Sequence, residues 1–358
     1  MLTVDLNALA ENYRSLRGVL NGVECGAVVK ADSYGLGMAQ VSRRLAAEGC
    51  RSFFVSCIDE AIRLRDVLPD AGIYVFDGLP TGAEQIFDQY SVNPVLGDLD
   101  QIFRWAAHGR AHGGRRAVIK IDTGMARLGL TEAEVDVLAA APERLDGVTL
   151  DYVMSHLACA DEDGNPMNAA QLAAFQSLHA RLPKAKASLA NSAGISLGPD
   201  YHFDLVRPGA ALYGILNAPN QSSPMKQVVG LKGKILRLRN VDSDLTVGYG
   251  ATQLVARGRR LATVAIGYAD GFPRSLGNRA TGFVGGKKVS LVGRVSMDLV
   301  CFDVTGAPAE FRRPGGDVEL IGPGHGVDDL AREAGTIGYE ILAGLGPRVR
   351  RVYLGEAG

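Results

Sequence analysis

The sequence lacks the features that mark disulfide-rich, metal-binding and membrane-spanning proteins. Its five cysteines are odd in number, widely scattered and without a CxxC pair, which argues against a disulfide framework. Its six histidines are equally dispersed, with no HExxH motif, so we expect no metal site. No run of about 18 apolar residues is present, and we expect no membrane span.

An excess of charge of one sign is also missing. Lysine and arginine total 38 against 39 acidic residues, a balance that gives no long-range attraction to nucleic acid or anionic lipid. The N-terminal stretch MLTVDLNALAENYRSLRGVL has no basic start, apolar block and small-residue cleavage site. We therefore expect a cytoplasmic protein that acts on a small molecule.

A chain of 358 residues is long enough for two domains, or for one large barrel with an addition. From about residue 10 to 215, short apolar runs alternate with amphipathic stretches of helical period. The runs are GAVVKA, FFVSC, IYVFDG, NPVL, RAVIKID, YVMSH, KASLANS and DLVRPGAAL; helical examples are MAQVSRRLAAEG, IDEAIRLRDVL and NAAQLAAFQSLHARL. Eight such units favour a (β/α)₈ barrel over a doubly wound sheet, which usually has fewer strands and a glycine-rich first turn.

Beyond residue 220 the sequence pattern changes: short runs rich in β-branched residues are separated by glycines, and helical periodicity largely disappears. This pattern predicts a separate, mainly β domain. These runs are QVVGLKGKILRLRNV, RLATVAIGY, GFVGGKKVSLVGRV and DLVCFDV. The pair Gly285 and Gly286 between two apolar runs predicts a hairpin turn. The stretch NAPNQSSP at 217–224 is typical of a connection between domains.

Several polar residues stand where predicted barrel strands end, which is where barrels place their functional groups. Lys30 ends AVVK, His156 ends YVMSH, Asn191 and Ser192 end ASLANS, and Arg207 follows DLV. One such charge is usually a solvated rim residue, but the recurrence across strands weakens that explanation. Lys30 is the sharpest candidate, because an amine at the mouth of a packed core becomes nucleophilic when it is desolvated.

The segment AVVKADSYGLG around Lys30 resembles the cofactor-lysine motif of alanine racemases, enzymes of the fold-type III pyridoxal-phosphate group. Further blocks resemble that family in its order and span almost the whole chain. They are KIDTGMARLG at 120–129, MSHLACADE at 154–162, LANSAG at 189–194, VRPGAALYG at 206–214, VGYGAT at 247–252, AIGYADG at 265–271 and VGRVSMD at 292–298.

The resemblance implies a barrel over residues 6–220 and a mainly β C-terminal domain over residues 221–358, joined by an N-terminal strand from residues 1–5. It implies pyridoxal 5′-phosphate as cofactor and interconversion of L- and D-alanine, which supplies D-alanine for the cell wall. Racemisation needs an acid/base group on each face of Cα, and the cofactor delocalises the electrons between the two proton transfers.

By the same resemblance, Lys30 carries the cofactor and serves one face of Cα, and Tyr249 serves the other. A phenol loses its proton only near pH 10, so Tyr249 needs nearby positive charge to favour the phenolate that can act as a base. In the family, the tyrosine contacts a histidine, here His156, and the histidine contacts an arginine, here Arg207. Arg207 also donates to the pyridine nitrogen of the cofactor. Because a guanidinium keeps its proton, the cofactor is a weaker electron sink, and reprotonation is favoured over transamination.

The resemblance assigns further residues to cofactor and substrate. Tyr34, Ser192, Gly209 and Ala210 match the phosphate site, Arg127 and the N–H of Met297 match the substrate carboxylate site, and Asp298 and Asn191 support them. Lys120 corresponds to a lysine that is carbamylated in many relatives; an ordinary barrel lysine paired with an acid is the alternative. Asp161, Arg274 and Arg294 resemble residues of the substrate corridor, although each could equally be a surface charge.

In the family, Tyr249 and Met297 reach the barrel mouth of the other subunit, which implies a homodimer with shared sites. Two positions depart from the family pattern. Pro347 stands where many relatives have a tyrosine that contacts the phosphate, and Tyr353 is too far along the chain to be an obvious substitute. Gly248 replaces a serine before Tyr249, which loosens the backbone there.

Three other functions remain open at the level of the sequence. The first is a racemase of the same architecture that acts on larger or several amino acids, such as serine or lysine. The second is a non-catalytic cofactor-binding protein, but those of this fold lack a C-terminal β domain. Decarboxylases that share the barrel hold phosphate with a glycine-rich run late in the barrel, where this chain has RPGAALYG.

Overall fold

The structure is a computed structural model that describes residues 1–215 and 225–355. The connection between domains predicted at 217–224 lies outside the described residues. The first strand, β1 (Leu2–Asp5), belongs to the C-terminal sheet, and a short strand, β2 (Glu24–Cys25), leads into the barrel.

Within residues 1–215, eight parallel strands form the barrel. They are β3 (Ala27–Val28), β4 (Ser52–Val55), β5 (Gly72–Val75), β6 (Asn93–Leu96), β7 (Arg115–Lys120), β8 (Val148–Met154), β9 (Lys186–Ser188) and β10 (Leu205–Val206). Neighbours pair in parallel from β3 to β9. The last strand closes the ring, because Val28 N–H donates to Pro208 O and Arg207 N–H donates to Ala190 O, each at 2.9 Å. The predicted barrel is confirmed.

Helical segments alternate with these strands. They are α1 (Leu6–Val19), α2 (Lys30–Gly35), α3 (Met38–Ala47), α4 (Ile58–Val67), α5 (Glu84–Gln89), α6 (Leu99–Ala111), α7 (Glu132–Ala140), α8 (Pro166–His179) and α9 (Ser192–Ser196). The longer ones cover the outside of the barrel, and the short α2 and α9 lie at its mouth. The apolar period explains the packing: α3 buries Met38, Val41 and Leu45, which lie on one helical face. The three helices predicted from MAQVSRRLAAEG, IDEAIRLRDVL and NAAQLAAFQSLHARL are confirmed as α3, α4 and α8.

The interior of the barrel is a packed core, because side chains from nearly every strand fill it. Its members are Val28, Phe54, Tyr74, Val95, Val118, Tyr152, Met154 and Leu205. Phe54 and Tyr74 stack with ring centroids 5.0 Å apart. A filled interior leaves a ligand only the mouth of the barrel, at the carboxyl ends of the strands.

Residues 225–355 form the second domain, which is mainly antiparallel β. Its strands are β11 (Val229–Asn240), β12 (Leu245–Val247), β13 (Gln253–Val255), β14 (Arg260–Ala265), β15 (Thr281–Val284), β16 (Lys287–Val292), β17 (Leu299–Asp303), β18 (Asp317–Ile321) and β19 (Arg351–Leu354). The sheet order is β14-β17-β16-β15-β18-β11-β1-β19, with an additional pairing of β11 and β14. The predicted mainly β domain is confirmed.

The hairpin predicted at Gly285 and Gly286 is confirmed, since β15 and β16 pair antiparallel and both glycines have positive φ, 56° and 74°. Two helices of this domain were missed, α10 (Val327–Ala334) and α11 (Gly338–Ala343). The signal for α10 was present in VDDLAREA, where Val327, Leu330, Ala331 and Ala334 are buried at helical spacing.

Two kinds of feature are absent from residues 1–215 and 225–355. There, no helix is long and apolar enough to cross a membrane. In the same residues, no three histidine, cysteine or acidic side chains are grouped so that they could hold a metal ion.

Candidate active site

A cavity of about 840 Å³ opens at the carboxyl ends of the barrel strands. The barrel positions residues from distant parts of the sequence around it, because each stands just after a strand. Of the residues proposed from the sequence, the cavity wall includes Lys30, Tyr34, Arg127, His156, Asp161, Asn191, Ser192, Arg207, Gly209 and Ala210. The structure therefore brings most of the predicted barrel residues to one place.

The turn that follows Lys30 has an uncommon backbone. The four residues Ala31–Tyr34, which form most of α2, all have φ between 52° and 57°, so this turn is left-handed. Such a conformation costs about 1–2 kcal/mol per non-glycine residue and persists only where surrounding contacts impose it. One such contact comes from the C-terminal domain, where Arg351 Nε donates to Gly35 O at 2.9 Å.

One end of the cavity is a cradle of hydroxyl and backbone N–H groups. Ser192 Oγ accepts from the N–H of Gly209 at 2.9 Å and from that of Ala211 at 3.2 Å. Burial raises the pKa of Tyr34, so its phenol stays protonated and can donate. A Cβ on Gly209 would stand 2.5 Å from the Tyr34 hydroxyl oxygen, although the φ of Gly209, −128°, is open to any residue. A side chain at position 209 would thus displace the Tyr34 hydroxyl, and this cradle of hydroxyl and N–H groups fits a phosphate group.

Arg207 is buried in the wall of the cavity among neutral acceptors. Its Nη1 donates to Ser188 Oγ, and its Nη2 donates to the carbonyl oxygens of Ser155 and Leu189 at 2.6 and 3.3 Å. Burial lowers the pKa of Arg207 to about 10, which still leaves the guanidinium charged near neutral pH. The site therefore holds a fixed cation that donates protons to hydrogen bonds without releasing them.

His156 is neutral at ordinary pH in this environment. Burial, and then the positive charges of Arg207 and Lys120, lower its pKa to about 3. The imidazole can therefore relay hydrogen bonds in the site but adds no positive charge to it. The relay from Tyr249 through His156 to Arg207 stays a prediction, since the guanidinium N–H groups described above reach Ser188, Ser155 and Leu189.

Lys120 ends β7 and is buried beneath the cavity rather than in its wall. Burial, and then the nearby charges of Arg207 and Arg127, lower its pKa to about 8. More of this amine is therefore unprotonated near neutral pH than in an exposed lysine, and the unprotonated form is the one that reacts as a nucleophile.

Arg127 reaches the cavity from the loop after β7, and a single carboxylate organises that loop. Asp122 Oδ1 accepts from the backbone N–H groups of Gly124, Met125 and Ala126 at 2.9, 2.9 and 3.1 Å. Ala126 adopts a φ of 54°, so the loop holds strain that Asp122 offsets.

Besides Lys120, three residues predicted for catalysis or substrate binding lie outside the cavity wall of their own chain: Tyr249, Met297 and Asp298. Tyr249 follows β12 in the C-terminal domain and is 73% exposed, and Met297 is 53% exposed. Asp298 Oδ1 pairs with Arg348 Nη2 at 2.8 Å. Their assignment to the site of a second subunit stays a prediction. The corridor residues Arg274 and Arg294 are also outside this wall.

Gly248 and Pro347, the two positions that depart from the family pattern, have distinct surroundings in the structure. Gly248 has φ 72° and ψ −171°, a conformation almost confined to glycine, so the backbone before Tyr249 depends on it. Pro347 is exposed, and the phenol of Tyr353 donates to Leu36 O at 3.0 Å. The tyrosine that this part of the C-terminal domain contributes to the cavity wall is instead Tyr339, on α11.

Sequence reasoning missed Tyr339 because it overlooked α11. Its ring centroid lies 5.9 Å from that of Tyr34, and burial raises its pKa. Together, α10 and α11 bring several residues to the outer wall of the cavity: Asp328, Ala331, Arg332, Thr336, Ile337, Gly338, Tyr339 and Ala343. The chain's own C-terminal domain thus forms part of the site.

Comparison with known proteins assigns the family. Residues 4–217 match the sequence model described as "Alanine racemase, N-terminal domain", and residues 228–353 match "Alanine racemase, C-terminal domain". The alanine racemase of Rhodospirillum rubrum is 51% identical over 99% of this chain and 96% of its own length, and the catabolic alanine racemase of Mesorhizobium japonicum is 47% identical over 99% and 93%.

Solved structures agree with this assignment. The alanine racemase from Bartonella henselae, solved with covalently bound pyridoxal phosphate, superposes with a TM-score of 0.94 at 39% identity and 99% coverage of both chains. The biosynthetic alanine racemase from Pseudomonas aeruginosa gives a TM-score of 0.90 at 35% identity, again over 99% of each chain. The resemblance carried by the sequence motifs is confirmed, and the chain belongs to the alanine racemase family.

Proposed function

We propose that this protein binds pyridoxal 5′-phosphate and interconverts L- and D-alanine with two bases, Lys30 and Tyr249. The observation that carries the proposal is one cavity in which Lys30 and the cationic Arg207 lie beside a phosphate cradle. Residues 228–353, which match the family's C-terminal domain and contain Tyr249, argue against a non-catalytic cofactor-binding protein.

The residues present fit the cofactor. Tyr34, Ser192, Gly209 and Ala210 would hold its phosphate, Lys30 Nζ would bind its reactive carbon, and Arg207 would donate to its ring nitrogen. When bound, the cofactor delocalises the electron pair that is left at Cα after a proton departs. Arg207 keeps its own proton at neutral pH, which favours return of a proton to Cα over transamination.

Lys30 and Tyr249 would act on opposite faces of Cα, one removing a proton while the other returns one. Tyr249 is exposed in its own chain, which supports a homodimer in which each subunit lends Tyr249 and Met297 to the other's cavity. Because His156 is neutral, positive charge that favours the phenolate would come from Arg207 and Arg127. Arg127 would bind the substrate carboxylate.

The lowered pKa of Lys120 supports its carbamylation. The unprotonated amine would attack carbon dioxide, forming an N–C bond and releasing one proton, and the product would be a carboxylate among cations. That carboxylate would hold Arg127 in place. Labelling with ¹³C-bicarbonate followed by carbon NMR would test this, with Lys120→Ala as the control that lacks the signal.

The decisive experiment is a racemisation assay in deuterated water with both enantiomers of alanine, and with serine and lysine as competitors. We expect alanine to turn over fastest, deuterium to enter Cα, and borohydride to fix the cofactor on Lys30. Faster turnover of serine or lysine would contradict the assignment of alanine as substrate.

We further propose a biosynthetic role in the cytoplasm, where the product would supply D-alanine for the cell wall. A bacterial strain that requires D-alanine would grow without it when this chain is expressed, but not when the Lys30→Ala variant is expressed. If deletion of the gene from its own host leaves growth without added D-alanine unchanged, the role is catabolic instead, which the name of the Mesorhizobium relative specifies for that protein.

A further inference from the structure

Glu60 is a buried carboxylate that the mechanism above does not use. It lies in the first turn of α4 and is only 7% exposed. Its two oxygens accept from two backbone N–H groups: Oε1 from Ala31 at 2.6 Å and Oε2 from Ser56 at 2.8 Å. Both bonds are charge-assisted, and such bonds are shorter and stronger than those between neutral groups.

These two bonds join the segment that carries Lys30 to the neighbouring barrel unit. Ala31 directly follows Lys30 and is the first left-handed residue of α2, while Ser56 follows β4. The N–H of Ala31 is therefore held from the side of β4, at the point where the chain changes from β3 into the left-handed turn.

The far end of the turn is held by other contacts. Asp32 Oδ1 accepts from the N–H of Met38 at 2.8 Å, and Arg351 of the C-terminal domain donates to Gly35 O at 2.9 Å. A left-handed run of non-glycine residues relaxes unless it is fixed on both sides. Glu60 is the carboxylate that fixes the side next to Lys30.

We propose that Glu60 is a positioning residue that sets the direction in which Lys30 enters the cavity. It does not line the cavity and acts through the peptide N–H of Ala31. The inference rests on the proposed function only in so far as Lys30 is the residue that binds the cofactor.

The test replaces Glu60 with glutamine, which keeps the size but offers one acceptor oxygen and an NH₂ group to two N–H donors. The matched control is Glu24→Gln. Glu24 also accepts two hydrogen bonds, from the hydroxyls of Ser52 and Tyr152, but it lies in β2 at the opposite end of the barrel. Both substitutions disturb the barrel, and only one disturbs the turn after Lys30.

The first readout is independent of activity. Each full-length variant is incubated with pyridoxal phosphate, reduced with borohydride and digested, and the fraction of Lys30 that carries the cofactor is measured by peptide mass. We expect Glu60→Gln to slow this labelling by about ten- to a hundredfold, the range for a misplaced reacting group, and Glu24→Gln to leave it unchanged. Equal labelling in the two variants would overturn the proposal.

A second readout separates positioning from general destabilisation. If Lys30 is misplaced, proton transfer on its face of Cα becomes the slow step, and the α-deuterium isotope effect rises for one enantiomer of alanine only. A symmetric change, or a loss that follows the unfolding temperature in both variants, would also overturn the proposal. If Glu60→Gln does not fold, the same two measurements are made on Glu60→Asp. The shorter aspartate reaches only one of the two N–H groups, so we expect the same slower labelling of Lys30.

The outcomes separate this inference from the proposed function. If the parent protein binds cofactor on Lys30 but does not racemise alanine, the proposed function fails and labelling still decides the role of Glu60. If alanine is racemised and Glu60→Gln labels normally, the role of Glu60 fails and the proposed function stands.

Discussion

Two inactive variants of this protein, Lys30→Ala and Tyr249→Phe, should restore activity when their subunits are mixed. Lys30 lines the cavity of its own chain, whereas Tyr249 is 73% exposed and lies outside that cavity wall. If each site takes Lys30 from one subunit and Tyr249 from the other, a hybrid dimer has one site with both defects and one intact site. Each variant alone has no intact site.

The expected recovery follows from this geometry. Random reassociation of equal amounts gives about half hybrid dimers, each with one working site of two, so the mixture should reach about a quarter of the parent activity. The loss in each separate variant should be about 10²-fold or more, because a group that transfers a proton is removed. Loss of one exposed hydroxyl in Tyr249→Phe should change the free energy of unfolding by about 0.5 kcal/mol or less.

The assay mixes the two variants under conditions that exchange subunits, counts hybrid dimers by native mass spectrometry and measures D-alanine formation. Self-mixed samples of each variant serve as controls. Hybrid dimers with no activity above these controls would refute the shared site, because a Tyr249 acting within its own chain leaves no intact site in any dimer. A monomeric parent with full activity would refute it as well.

Three further perturbations test the site. Asp122→Ala removes the acceptor of three N–H groups beneath Arg127, so KM for alanine should rise about tenfold, the equivalent of about 1.4 kcal/mol, with a smaller fall in kcat; an unchanged KM would contradict this role. Gly209→Ala places a methyl group against the Tyr34 hydroxyl and should weaken cofactor binding in an absorbance titration, whereas normal affinity would show that the cradle has spare room. The pKa of His156 is lowered to about 3 in the folded chain, so below about pH 6.5 the unfolded chain gains a proton on this residue that the folded chain does not. The free energy of unfolding therefore falls as the pH falls below about 6.5. Denaturant unfolding at pH 7 and pH 5 should therefore show a smaller loss of stability for His156→Gln than for the parent, and equal losses would contradict a neutral buried imidazole.

Much of the fold was predictable because its signals are local. The eight apolar runs and the helical spacing between them reflect which face of each element is buried, and the structure confirms the barrel. The hairpin at Gly285 and Gly286 was predictable because a two-residue turn with positive φ favours glycine. In contrast, α11 was missed because its six residues give too short a pattern, and with it Tyr339 was missed.

By itself, the sequence determined the order of the elements and the identity of the groups around Lys30, since motif spacing and apolar period are properties of neighbouring residues. Only the tertiary structure decided three further features. Burial among cations makes His156 neutral, Glu60 on α4 and Arg351 of the C-terminal domain hydrogen-bond to the left-handed turn after Lys30, and packing leaves Tyr249 exposed. The reason is physical: burial, Coulombic fields and backbone strain depend on residues that are far apart in the chain and meet only when it folds.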